Sequence, residues 1–320
     1  FERPIGTGPY KLKVWLPGQL LEYTRFASYW AGKANYHSVR LSSFSDLVER
    51  VETFRSGEAD FLADVPYVAV DMLLEEGLEV VALPSLEVQF LLFNLDSKEF
   101  SKKGNREAFS AAIDQDAFAD FVGEYAKPVN QFVSNGVFGF NPRIREHEYD
   151  LEKAISLAEE SGFEGETIHF HLPIGLDGLG EHVRTQLSEL GVKVVVSYLD
   201  MPNLLESIED RKADVYFFGF KADSGDASDF FETVVRSSAE LNVSGFSSTE
   251  VDSLIDESLT LMNDKARLAK LQELMSIVSE RELIGVPLFE YLSVYSYAPE
   301  LTFEPRTDGF IYFDDIDLKR

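Results

Sequence analysis

The sequence predicts an α/β protein built as two lobes, and three observations predict it. Strand-like and helix-like segments alternate along most of the chain. A chain of 320 residues is too long for one compact core. A strand–helix–strand segment in the N-terminal part also has an echo in the second half of the chain.

The order of elements begins with a turn. Gly6, Gly8 and Pro9 cluster, and Tyr10, Leu12 and Val14 then alternate with Lys11 and Lys13 as a strand. Leu16-Pro17-Gly18 makes a turn, and residues 20–26 alternate again. Val39 to Ser42 is a short strand. Ser45 stands as the cap of a helix with Leu47, Val48, Val51 and Phe54 on its apolar face and Gly57 as its stop. Residues 59–63 return as a strand. Val88 to Asn94 is a nearly continuous apolar run, which suits a strand buried on both faces. Arg106 to Val122 is helical, with Phe109, Ile113, Ala117, Phe118 and Phe121 on one side. A loop rich in Pro, Gly and Asn spans residues 127–142.

Leu151 to Gly162 is the next helix, Thr167 to Leu172 a strand and Leu176 to Leu190 a helix. The echo follows. Val194 to Tyr198 is a strand, Asn203 to Glu209 matches Asp46 to Glu52, and Ala213 to Phe217 matches Ala59 to Phe61. A βαβ-like unit used in both lobes explains this, as does coincidence between two amphipathic helices. Ser248 caps a helix carrying Val251, Leu254, Ile255, Leu259 and Met262, and Lys265 to Ser279 is another. Ile284 to Phe289 and Tyr291 to Tyr297 are strands. No flexible linker interrupts the chain, so strands must join the lobes.

Composition excludes several classes. Net charge is −27, from 56 acidic against 29 basic residues, and a phosphate backbone would be repelled; nucleic acid is not a partner. The charge suits a secreted or salt-adapted protein, and it equally serves plain solubility. No Cys is present, so disulfides, thiol catalysis and Cys-ligated zinc are excluded. No apolar run is long enough to span a bilayer. There is no Gly-x-Ser-x-Gly elbow, P-loop, Gly-x-Gly-x-x-Gly or His-Glu-x-x-His, so no catalytic residue or cofactor is indicated.

The segment from Gly219 to Phe231 carries the most information about a site. A buried strand, Val215 to Phe220, ends in a polar loop before a helix starting near Ser228. Ligand sites in α/β folds favour the carboxyl ends of strands. The same residues also read structurally, with Asp223 satisfying a turn and Ser228 and Asp229 capping the helix. His169 and His171 share one face of a strand but lack a third metal ligand nearby. Asp223, Asp226 and Asp229 lack the spacing of an EF-hand, so no metal is expected. Asn242-Val243-Ser244 reads as a glycosylation sequon, a pattern too common by chance to use.

Five segments in order resemble the family 5 solute-binding proteins of ABC importers, the oligopeptide, dipeptide and nickel binders. They are Gly6-Thr7-Gly8-Pro9-Tyr10 with its following strand; Tyr29-Trp30-Ala31-Gly32-Lys33; Asn105 to Asp114; Gly219 to Ser228; and Asn242 to Ile255. The resemblance implies a two-lobed periplasmic-binding-protein-like fold (type II, cluster C). Residues 1–87 and 291–320 would form a first lobe, truncated because roughly a third of a family member precedes its Gly-Thr-Gly-Pro-Tyr segment. Residues 88–290 would form a second, complete lobe. It implies a non-catalytic, extracytoplasmic receptor that binds an oligopeptide or other small solute in an interlobe cleft and delivers it to an ABC permease in the membrane. Carried over to this chain, Asp223 takes the ligand ammonium, and Gly219, Phe220 and Lys221 form the strand along which a peptide pairs. Phe220 replaces the family's Trp, and Phe217 stands where some members have an Arg for the peptide carboxylate. Two alternatives stand beside this reading: a hydrolase using acidic cleft residues, and the ligand-binding module of a sensor.

Overall fold

The computed structural model describes residues 4–319, with backbone alone at residues 120–122. Phe1 to Arg3 of the opening segment and the Phe121 side chain, assigned above to a helix face, lie outside the described residues. The chain divides into two compact units, Phe1–Leu83 with Ser293–Arg320, and Pro84–Leu292.

In the first unit, β1 (Tyr10–Leu16), β2 (Leu20–Arg25) and β3 (Ser38–Ser42) form an antiparallel sheet. Helix α1 (Leu47–Arg55) is capped by Asp46 and not by Ser45. Asp46 is the extended residue directly before the first turn, and its Oδ1 accepts from the Glu49 amide at 2.8 Å. Val51 and Phe54 are buried, but Leu47 and Val48 are 57% and 70% exposed, so the apolar face turns only half inward. After β4 (Phe61–Leu62) comes α2 (Val70–Glu75), which sequence reading missed because its N-terminus has no side-chain cap to announce it.

The 15-residue strand β5 (Glu79–Phe93) carries the chain into the second unit. It begins well before Val88 because Pro84, Ser85 and Glu87 hide its first half from an apolar pattern. The expected helix over Arg106 to Val122 is two helices, α3 (Lys103–Ala112) and α4 (Gln115–Val122). Ile113 is extended (φ −86°, ψ 116°), and Asp114 Oδ1 accepts from the Asp116 and Ala117 amides, starting a new helix. The loop contains a short strand, β6 (Ala126–Pro128). Next come α5 (Leu151–Ser161), β7 (Thr167–Pro173), α6 (Asp177–Ser188), β8 (Lys193–Leu199), α7 (Met201–Glu209) and β9 (Val215–Lys221). The helix near Ser228 is short: α8 (Ser228–Phe230) widens at once into a π turn, Phe231–Val235. Helix α9 (Thr249–Thr260) is capped by Ser248, and α10 (Asp264–Ser276) runs into a second π turn, Ile277–Arg281. The two strands expected over residues 284–297 are one, β10 (Gly285–Tyr297), which returns the chain to the first unit. There its end pairs with β4, and β11 (Leu301–Phe303) pairs with β12 (Ile316–Leu318).

The sheet of the second unit has the order β10-β5-β9-β7-β8, with β6 beside β10. Strand β5 is antiparallel to β9, and β7 is parallel to both β8 and β9. The β8–α7–β9 segment is therefore a true βαβ crossover. Its echo is not: β3 pairs antiparallel with β2, while β4 pairs with β10. The likeness holds between the helices and does not extend to a repeated βαβ unit.

Alternation along β5 and β9 splits the core of this unit in two. Val88, Phe90, Leu92 and Tyr216 pack on one face with Phe132, Phe230 and the C-terminal helices. Leu91, Phe93, Val215 and Phe217 pack on the other, with residues of α3, α5 and α6.

Candidate functional site

The two faces of these strands end differently. On the first, Phe220 and Ala222 continue the apolar surface, and Phe220 meets Phe230 edge-on at 5.4 Å between centroids. On the second, the apolar series stops. Leu91 is followed toward the N-terminus of β5 by Gln89 and Glu87, and Phe217 is followed along β9 by Gly219 and Lys221. Gln89 lies opposite Gly219, and Glu87 opposite Lys221. Tyr291 of β10 borders this polar patch; burial first and then the Glu87 charge push its phenol up to about 12.

Strand β9 is paired unequally on its two sides. β5 accompanies it over its whole length, from Val215 to Lys221. β7 pairs with it only at Val215 and Tyr216. Among the described residues, no strand lies along the other side of Phe217 to Lys221. The physical reason lies partly in β7, which reaches Pro173, a residue with no N–H to give a ladder. Such an edge accepts an extended chain by main-chain pairing.

The structure places Gly219, Phe220 and Lys221 together at the end of this edge, with Asp223 just beyond. The Gln89 amide packs over Gly219: a Cβ there would stand 2.6 Å from Gln89 Oε1, so a larger residue would displace that flexible side chain. Asp223 follows the fully buried Ala222, and its side chain is 74% exposed. Its Oδ1 lies 3.4 Å from Lys221 Nζ. Asp223 is thus an accessible carboxylate, not one locked in a turn.

The loop holding Asp223 is fixed by its neighbours. Asp226 pairs with Arg267, whose Nη2 also donates to Ser228 Oγ at 3.2 Å, and accepts from the Ser228 amide at 2.9 Å. Burial pushes the Asp226 carboxyl up, but the hydrogen bonds from Arg267 and Ser228 together outweigh it and hold the group below its ordinary range. Asp229 accepts from the Ser224 amide and hydroxyl at 3.0 and 2.6 Å. Gly225 and Ala227 bracket Phe138 through backbone bonds of 2.8 Å. The three acidic residues of this loop therefore face three different partners. Sequence reading missed Gln89, Glu87 and Arg267; the break in apolar alternation at Gln89 was the available signal for the first two.

His169 and His171 lie on the opposite face of β7 from its buried residues Ile168, Phe170 and Leu172. His169 bonds Asp214, and His171 Nδ1 lies 2.6 Å from Ser207 Oγ. Among the described residues, no three His, Cys, Asp or Glu side chains are grouped to hold a metal, and no helix is long and apolar enough to cross a membrane.

The site so described is a sheet edge left open beside a polar loop, and comparison with known proteins places the chain in a family. The model for bacterial extracellular solute-binding proteins, family 5 (middle), matches residues 1–242, and the chain belongs to that family. It is 27% identical over 334 aligned residues to the glutathione-binding protein GsiB of Salmonella typhimurium, covering 99% of this chain and 65% of that protein. To heme-binding protein A of Haemophilus influenzae it is 23% identical, covering 97% and 57%. The chain thus spans less than two thirds of these relatives. Among solved structures, the fold is similar to that of DppA from Helicobacter pylori in complex with the peptide STSA, with a TM-score of 0.84, 21% identity and coverage of 100% and 64%. It is also similar to CtaP from Listeria monocytogenes, with a TM-score of 0.88, 21% identity and coverage of 99% and 67%.

Proposed function

We propose that the chain is the non-catalytic, extracytoplasmic solute-binding component of an ABC importer, that it binds oligopeptides along β9, and that it delivers them to a membrane permease. The observation that carries this reading is the unpaired side of Phe217 to Lys221, which leads directly to an accessible carboxylate at Asp223. Main-chain pairing recognises a peptide whatever its side chains, and a carboxylate at the end of the added strand takes its α-ammonium. Gly219, Phe220 and Lys221 supply the backbone. Phe217 is 6% exposed within the apolar core, so that position offers no cation to the peptide carboxylate. Family membership supports a binding protein over a hydrolase, and the two structural relatives bound to peptides, DppA and a dipeptide-binding protein from Pseudoalteromonas, support the ligand class.

Calorimetry with tetra-alanine and N-acetyl-tetra-alanine tests the reading. Asp223→Ala is expected to weaken the free-amine peptide roughly tenfold and to spare the acetylated one, the loss expected for one charge-assisted hydrogen bond. Equal effects on both would remove Asp223 from this role.

A further inference from the structure

We propose that the open side of β9 selects peptides carrying an apolar, above all aromatic, side chain at alternate positions, and that Phe218 sets this preference. The selectivity rests on the peptide pairing proposed above and adds a substrate class to it.

The first face of β9 loses its cover along the strand. Tyr216, Phe218 and Phe220 alternate onto that face and pack on its core. Tyr216 is fully buried, whereas Phe218 and Phe220 are half-buried. On one side β5 accompanies all three alike: Leu92, Phe90 and Val88 stand opposite them, and each is 0% exposed. Cover is therefore missing on the side away from β5. The change coincides with the end of β7, which pairs with β9 at Tyr216 and no further.

Strand β7 shows what a neighbour on that side does. His171 lies opposite Tyr216, and the two rings meet edge-on with centroids 6.1 Å apart. A peptide added farther along runs about 4.8 Å from β9, and the side chain it sets opposite Phe218 falls on the same face. Phe218 belongs to a row of rings there. It tilts against Phe90 at 5.7 Å, Phe90 meets Phe132 edge-on at 5.1 Å, and Phe132 stacks on Phe230 at 5.2 Å. Phe90, Phe132 and Phe230 are fully buried, so Phe218 is where this row meets solvent. An apolar ligand side chain extends the row and takes the Phe218 ring out of water. An aspartate side chain at the same place loses water to a ring that gives its carboxylate no hydrogen bond.

The second face differs. Phe217 is 6% exposed, Gly219 has no side chain, and Lys221 carries a charge. Side chains that the peptide turns to that face meet bare backbone and an ammonium. The preference therefore alternates with the two-residue period of a strand.

Calorimetry on the chain as it stands tests this, with tetra-alanine and peptides in which phenylalanine replaces each alanine in turn. Phenylalanine is expected to bind roughly tenfold tighter than alanine at positions two residues apart, and less than about twofold tighter at the positions between. Phe218→Ala is expected to bring the larger ratio below about threefold while tetra-alanine still binds. Phe218→Val serves the same purpose should the alanine variant fail to fold, and the alternation itself is read on the unmodified chain. A preference equal at all positions, none at any, or one that survives loss of the Phe218 ring overturns the proposal while leaving peptide binding intact. Failure of the unmodified chain to bind any peptide of the set overturns the functional reading, and this selectivity with it.

Discussion

Asp226 does at the level of one residue what Asp223 cannot. It is mostly buried, with its side chain 22% exposed, and it ties the loop after β9 to α10 through Arg267. Asp226→Asn removes the charge from this network and is expected to cost about 2 kcal/mol of stability at pH 7, read from urea unfolding. The folded group titrates below its unfolded value of 3.8, so its contribution is fully present above that value and lost as pH falls from there through the lower folded value. The difference between the two proteins should therefore narrow in acid. A constant difference across pH would assign the loss to packing instead. Glu290 shows the opposite case: burial raises its carboxyl, and Lys127 only partly offsets this. The place of Asp223, just beyond β9 in a Gly-containing loop, was legible in the sequence; the ligand role we propose for it came from the family resemblance. The pairing of Gln89 with Gly219 was not legible, because the two residues are distant in the chain.

At the level of elements, the strands β5 and β10 are the least forgiving. Gly285 opens β10 against the backbone of β5, and a Cβ there would lie 2.2 Å from the Leu91 carbonyl oxygen and 3.1 Å from Leu92 Cα. Backbone cannot step aside as a side chain can. Gly285→Ala is expected to cost about 3 kcal/mol, measured as a lowered urea midpoint; a shift under a third of that would show that the strands can separate at no great cost. The apolar run at Val88 to Asn94 announced β5, since a strand covered on both faces cannot alternate. Its first half, the split between α3 and α4 and the continuity of β10 were hidden. Asp114 can sit mid-helix or start a helix, and only the extended Ile113 decides between them. Strand pairing, not local pattern, also decided that α1 and α7 share a motif while their flanking strands do not.

For the molecule as a whole, the family and the α/β class were readable from five motifs in order, because those motifs fix turns, caps and strand ends that recur wherever the fold does. The division into two units places the entire β9 edge, its supporting loop and Gln89 in the unit formed by Pro84–Leu292. We propose recognition by one unit's backbone, with Asp223 at its end. Amide hydrogen exchange of the chain with and without tetra-alanine tests it most directly, since an added strand must protect the amides it pairs with. Slowed exchange concentrated in residues 217–221 is expected. Tetra-alanine bound with no change in those amides would contradict it.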